Sequence, residues 1–190
     1  MYRLAIFASG EGTNAQNFID YYKDKKNIRV SLIVCNNKEA RVINRAAEAG
    51  IPVLMVDKET FYNGDKVVEE LKEKADFIVL AGFLWMIPGN IINAFADKMV
   101  NIHPALLPKY GGKGMYGKKV HEAVIANGER ESGITIHYVN NRYDEGKIIF
   151  KAKCAVEASD TPEKLEKKVR QLELEFYPVI VEKLLLGNIS

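Results

Sequence analysis

Apolar residues follow two rhythms along this chain. In the first hundred residues, short unbroken apolar runs alternate with segments whose apolar positions recur every three or four residues. These are the marks of buried strands and of amphipathic helices. Leu4–Ala8 is the first such run and ends in Ser9-Gly10-Glu11-Gly12, and Phe18, Ile19 and Tyr22 then mark a helix. Val30–Cys35 reads as a strand, and Ala40–Ala49 as a helix stopped by Gly50 and Pro52. Val53–Val56 is a strand and Val67–Lys74 a helix with Val67, Val68 and Leu71 on one face. Phe77–Ala81 is a strand, Ile91–Phe95 a short helix, and Met99–Ile102 the fifth strand. Strands this apolar, separated by helices, predict an α/β protein with a parallel sheet covered on both faces.

The rhythm then changes. Ile134–Val139 alternates, and Ile148–Val156 does so less cleanly, with Lys147, Lys151 and Lys153 interleaved. Both read as sheet-edge strands with one wetter face, antiparallel to the rest. A long helix closes the chain. Its start is signalled by Asp160-Thr161-Pro162-Glu163, with Asp160 as the cap and Glu163 three residues on. Leu165, Val169, Leu172, Phe176 and Ile180 form its buried stripe, and Pro178 is expected to kink or split it. With no repeat, linker or low-complexity tract, residues 1–190 read as a single domain.

Composition narrows the function classes. A chain of 190 residues buries roughly 70% of its unfolded surface and needs neither disulfide nor metal to fold. Lys and Arg number 27 against 25 Asp and Glu, a net charge of +2, which argues against a dedicated nucleic-acid binder. Cys35 and Cys154 stand far apart in apolar runs and are expected as buried, reduced thiols. No signal peptide precedes the first strand and no apolar run approaches the roughly 20 residues of a membrane helix, so a cytoplasmic protein is expected.

Two segments carry chemistry. Gly10-Glu11-Gly12-Thr13-Asn14 joins the first strand to the first helix, where backbone N–H groups and the helix dipole converge on one point. A bound phosphate, a dinucleotide and a plain tight turn all fit such a loop. The dinucleotide reading is weakened because Cys35-Asn36-Asn37, after the second strand, offers no acid for a ribose diol. The second segment is Asn101-Ile102-His103-Pro104-Ala105-Leu106-Leu107-Pro108. Asn101 and His103 lie two apart at a strand's carboxyl end, where open α/β sheets place ligands, and their side chains share a face. An amide and an imidazole there make a donor pair for an oxyanion. Asp144 precedes Glu145-Gly146 at a turn into the next strand, where an acid is as often a turn former.

Taken together, NIHPALLPKY at 101–110, SGEGTN at 9–14, AGFLWMI at 81–87 and DEGKII at 144–149 resemble the glycinamide ribonucleotide formyltransferases. The resemblance runs along essentially the whole chain. It implies a three-layer, Rossmann-like fold with a mostly parallel, mixed seven-stranded sheet flanked by helices. It implies transfer of the formyl group of 10-formyltetrahydrofolate, a co-substrate, to the amine of 5'-phosphoribosylglycinamide. Asn101, His103 and Asp144 would then be the catalytic set. Gly12, Thr13 and Asn14 would hold the acceptor's phosphate, with Arg170 reaching the same phosphate and Glu173 binding ribose hydroxyls. Leu84, Trp85, Met86, Ile87, Asn101, Asn140 and Asn141 would line the folate. Read without the resemblance, Arg170 and Glu173 would be a solvated helix face.

In the implied mechanism Asn101 and a largely protonated His103 donate to the tetrahedral oxyanion. Asp144 orients His103, raises its basicity and helps a water carry the amine proton to the leaving nitrogen. No metal is required, and no cluster of Cys and His has ligand spacing. Three positions depart from the family and bear on folate contact: Trp85 and Gly64, where relatives carry Arg, and Asn141, where related enzymes carry an acid. Gly111–Gly117 is unusually glycine-rich, fitting either a mobile flap over the site or a surface loop of a subgroup. His121 is expected at the surface, and His137 near the site in a supporting role.

Four rivals are weighed. A formyltetrahydrofolate hydrolase shares the three residues but attacks with water, and it is disfavoured because no regulatory domain precedes the first strand. The tRNA-formylating relatives carry an extra C-terminal domain. A non-catalytic phosphate- or folate-binding module would not need Asn101, His103 and Asp144. An NAD-dependent oxidoreductase lacks its ribose-binding acid. Small molecules are the expected partners, with no nucleic acid or membrane, and the oligomeric state is left open.

Overall fold

β1 (Tyr2–Phe7) is buried from Leu4 onward on both faces, as a central parallel strand must be. The computed structural model describes residues 1–189 and resolves into two compact units, Met1–Val100 and Asn101–Ser190. In the first, β1 is followed by α1 (Thr13–Tyr22), β2 (Ile28–Cys35), α2 (Val42–Glu48), β3 (Val53–Met55), α3 (Lys58–Tyr62), α4 (Lys66–Lys74), β4 (Phe77–Leu80) and α5 (Gly89–Ala94). β2 and β4 both pair parallel with β1, and β3 pairs parallel with β2. Each apolar run of the sequence becomes one of these strands. α3 had no apolar rhythm to reveal it. Its start is set by a local device: Asp57 Oδ1 accepts from Thr60 N at 2.8 Å, and Thr60 answers the Asp57 N–H at 3.4 Å.

β5 (Met99–His103) leads into the second unit, which continues with α6 (Lys118–Ala126), β6 (Glu131–Tyr138), β7 (Ile148–Ala155) and α7 (Pro162–Leu185). The strands form one seven-stranded sheet in the order β3-β2-β1-β4-β5-β6-β7, mostly parallel, with β6 and β7 antiparallel. This is the expected Rossmann-like α/β class. The edge assignment holds for β7, whose exposed and half-buried residues alternate. It fails for β6, which lies between β5 and β7 and is buried from Ser132 to His137. Cys35 is buried as expected, whereas Cys154 is only half-buried because it rides the edge strand.

Further expectations change. α6 forms in a stretch to which the sequence reading assigned no element, burying Val120, His121 and Val124. His121 is therefore not at the surface: it is 3% exposed on the inner side of that helix. α7 is capped by Thr161, whose hydroxyl accepts from Lys164 N at 3.3 Å, rather than by Asp160. Asp160 instead takes Lys168 Nζ at 2.5 Å and the Glu157 N–H at 2.9 Å. Pro178 lies inside α7 without splitting it, and it is buried with Tyr177, Ile180 and Val181. Leu165 and Val169 are buried in the expected stripe, but Leu172 and Phe176 only in part; Phe176 stacks on Phe150 of β7 at 5.1 Å.

Candidate active site

β5 delivers Asn101 and His103 to one face at its carboxyl end, and the turn that follows is pinned from β6. The fully buried Thr135 accepts the Leu107 N–H at 3.0 Å and donates its hydroxyl to the Ala105 carbonyl at 2.7 Å. Lys151 of β7 donates to the Leu107 carbonyl at 2.5 Å, and the Leu107–Pro108 peptide is cis. These contacts set the path of the chain to Tyr110, whose carbonyl accepts from His103 Nε2 at 2.7 Å. A carbonyl only accepts, so His103 carries its proton on Nε2 and turns Nδ1 elsewhere.

That second nitrogen faces Asp144. His103 Nδ1 lies 3.6 Å from Asp144 Oδ2, with both side chains largely out of water. Asp144 is held in a left-handed backbone conformation, φ 56°, of a kind that costs about 1–3 kcal/mol and gathers at functional sites. Gly146 makes the turn possible, because a Cβ there would overlap the Tyr138 carbonyl oxygen. The Gly112 N–H donates to Asp144 Oδ2 at 2.9 Å, so the start of the glycine-rich segment is tied to the carboxylate.

His137 completes the group. Its Nδ1–H donates to the Tyr138 carbonyl at 2.8 Å, which leaves Nε2 to accept from Asn101 Nδ2 at 3.2 Å, and Asp144 Oδ1 stands 3.6 Å from that same nitrogen. One amide hydrogen of Asn101 is thus fixed by His137, and the other is engaged by no described residue. Its position aims the amide as a donor, the service an oxyanion needs.

The electrostatics differ from the sequence-based mechanism in one respect. Burial pushes His103 below its ordinary value, against the opposing pull of Asp144 and the Tyr110 carbonyl. Burial thus favours the neutral imidazole over the protonated one. With Nε2–H spent on Tyr110, Nδ1 is the ring nitrogen left to accept a proton. Burial works to raise the Asp144 carboxyl, yet the group is held below the usual carboxylate range, with the Gly112 N–H donating to it.

The other expected site residues are spread over both units. In the first, Gly12 precedes α1 with φ 68°, and a Cβ there would lie 2.6 Å from Val42 Cβ, so only glycine fits. Thr13 and Asn14 open that helix, half-buried. Arg45 donates to the Glu11 carbonyl at 2.8 Å and Arg41 pairs with the Glu11 side chain at 3.3 Å. These two cations beside the loop escaped the sequence reading. Asn37 Nδ2 donates to the Ser9 carbonyl at 3.2 Å.

Leu84 is 64% exposed, Met86 partly so and Ile87 buried. The Leu84 N–H donates to Ser9 Oγ at 3.0 Å, and Tyr62 donates to the Met86 carbonyl at 3.0 Å. Trp85 packs among Phe61, Tyr62 and Phe83 at 5.7, 6.1 and 6.2 Å. In the second unit Asn140 and Asn141 are exposed, and the Asn140 side chain accepts the Arg142 N–H at 2.9 Å. Arg170 is exposed on α7 and pairs with Glu166 at 2.5 Å, while Glu173 is half-buried one turn on. Among the described residues no His, Cys, Asp and Glu group is placed to hold a metal ion.

The family model described as formyl transferase matches residues 2–181. The chain belongs to the formyl transferase family. Within it, the chain is 42% identical over 186 residues to the chloroplastic phosphoribosylglycinamide formyltransferase of Arabidopsis thaliana, covering 94% of itself and 64% of that protein. It spans less than two thirds of that plant relative and of its Vigna unguiculata counterpart, of which it covers 60%. A Bacillus subtilis protein of the same name is 31% identical over 191 residues, covering 97% of this chain and 95% of the other. Among solved structures, the phosphoribosylglycinamide formyltransferase of Bacillus halodurans superposes with a TM-score of 0.87 at 37% identity, covering 96% of this chain and 95% of that one. The fold and the sequence motifs thus agree on the family. No described helix is long and apolar enough to cross a membrane.

Proposed function

We propose that the chain is a phosphoribosylglycinamide formyltransferase: it moves the formyl group of 10-formyltetrahydrofolate to the amine of 5'-phosphoribosylglycinamide, releasing the N-formyl product and tetrahydrofolate for purine synthesis. The observation that carries this reading is the Asn101–His137 and His103–Asp144 arrangement at the end of β5. The names of its relatives support the choice of acceptor and donor. We read residues 1–190 as one formyltransferase domain, since the family match runs through both units. The setting is the cytoplasm, and the partners are the two small substrates.

The amine attacks the formyl carbon, and the carbonyl oxygen becomes an oxyanion that takes the open Asn101 amide hydrogen. The nitrogen that has formed the new bond must lose a proton. Neutral His103 accepts it at Nδ1, directly or through a water, and the imidazolium formed is stabilised by the Asp144 carboxylate. The proton then passes to the leaving folate nitrogen as its bond to the formyl carbon breaks. Leu84–Ile87, Asn140 and Asn141 contact the folate in this reading. Gly12, Thr13 and Asn14 hold the acceptor's phosphate, and Arg170 and Glu173 bind the same substrate.

Two expected results test this. Folate product appears only when 5'-phosphoribosylglycinamide is supplied; an unchanged rate without it would make water the acceptor and the chain a hydrolase. Arg170→Ala raises the acceptor KM about 10-fold, the lower end for a charge-assisted contact, because Arg170 is exposed and already shares its charge with Glu166. The KM for formyl-folate stays as it was. A rise in the folate KM alone would place Arg170 on the other substrate.

A further inference from the structure

The turn that carries the Tyr110 carbonyl also walls a cavity of about 330 Å³ that none of Asn101, His103 or Asp144 lines. Leu106, Pro108 and Val124 give it an apolar side, joined by Tyr110. Lys109, Lys151 and Lys153 stand against Glu129 and Glu131 on the rest of its lining. Two of these lysines are neutralised in place: Lys109 Nζ lies 2.8 Å from Glu129 Oε1, and Lys153 Nζ 2.9 Å from Glu131 Oε2. Lys151 is different. Its ammonium donates to the neutral Leu107 carbonyl at 2.5 Å, and no described carboxylate lies within ion-pair distance of it. Three cations less two anions leave one uncompensated positive charge beside an apolar wall.

We infer that this cavity binds a small organic monoanion, a carboxylate carried on an apolar body, with its charge on Lys151 and its body against Leu106, Pro108 and Val124. The volume lies at the low end of small-molecule sites, roughly 300–1,000 Å³, which admits one ring or one branched chain. A single negative charge balances the lining. A dianion such as phosphate would bring a second charge, unmatched, against Glu129 and Glu131. Tyr110 couples the cavity to the active site: its carbonyl fixes the His103 ring at 2.7 Å, and its hydroxyl donates to Glu129 at 3.0 Å. An occupant that draws on Lys151 or shifts Glu129 therefore moves the turn that holds His103. The bound anion is an effector of His103, whatever substrate that histidine serves.

Benzoate is the probe, titrated into the full chain without substrates and followed by NMR. The expected result is a common saturation curve for the Tyr110, Lys151 and Lys153 amides, with the His103 ring resonance moving in step. Lys151→Gln weakens binding roughly 10-fold or more, the share of a charge-assisted hydrogen bond. Lys151→Arg retains it, and so does Lys109→Gln, which removes a lysine already paired; both also report that the fold is intact. Uncharged benzamide and inorganic phosphate leave these resonances in place. Equal binding by Lys151→Gln, equal binding of benzamide, or preferential binding of phosphate each overturns the site. Saturation with a stationary His103 resonance overturns the coupling to His103.

Discussion

Asn101→Ala is expected to lower kcat by about 100- to 1,000-fold, the loss of roughly 2.7–4 kcal/mol that follows removal of one oxyanion donor. The amide meets charge only once the tetrahedral oxygen has formed, so the KM values of both substrates should change little. His137 Nε2 accepts one amide hydrogen at 3.2 Å and so fixes the direction of the other. A preset donor does not have to be reoriented as the charge develops. Asn101→Asp is informative alongside alanine, because it keeps the shape but offers only acceptors at neutral pH. It should be at least as slow. Steady-state rates for either variant within about 10-fold of the parent would remove Asn101 from the donor role, since even one such donor accounts for about 100-fold.

The sequence disclosed those parts of the molecule whose physics is local. The buried strands announced themselves because a parallel strand covered on both faces is apolar at every position, as in Leu4–Ala8 and Phe77–Leu80. Asn101 and His103 were legible as a pair because strand alternation puts residues two apart on one face. The same rule joins Thr135 to His137, and a stricter reading of β6 would have drawn Thr135 toward the site. Other features had no such signal. α6 is nine residues long and follows a glycine-rich stretch, so its Val120 and Val124 were too few to set a period against that background. β6 alternates in sequence yet is buried from Ser132 to His137, because it is an interior strand with α7 packed on it.

The state of His103 was the least legible feature. Burial and the Tyr110 carbonyl decide it, and neither is written in the residues that flank the histidine. Tyr110 and Gly112 act through backbone atoms, which any residue type could supply at that place. Their roles come from the path of a turn pinned by Thr135 and Lys151, and that pinning depends on contacts some thirty or forty residues away in the chain.

Asp144→Asn tests the neutral-histidine mechanism, because rate and pH dependence should respond together. The asparagine oxygen can still accept from Gly112 N–H, so the turn and the start of the glycine-rich segment should survive. What disappears is the charge that stabilises a proton on His103. A drop in kcat of about 100-fold or more is expected, the share of a positioned proton-transfer group. In the parent chain Asp144 raises the His103 value against the effect of burial. Without it His103 should titrate lower still, and the acid limb of kcat/KM should move to lower pH as the rate falls. Stability follows the same signs. The folded-state values of Asp144 and His103 both lie below their ordinary ones, so each group adds stability at neutral pH. The histidine's share begins to fade as pH falls below about 6.5, and the carboxylate's below about 3.9, each gone once its folded value is passed. The variant should lack the second of these losses in acid denaturation. A slow variant whose acid limb stays fixed would mean that Asp144 supports the turn and does not act on the His103 proton.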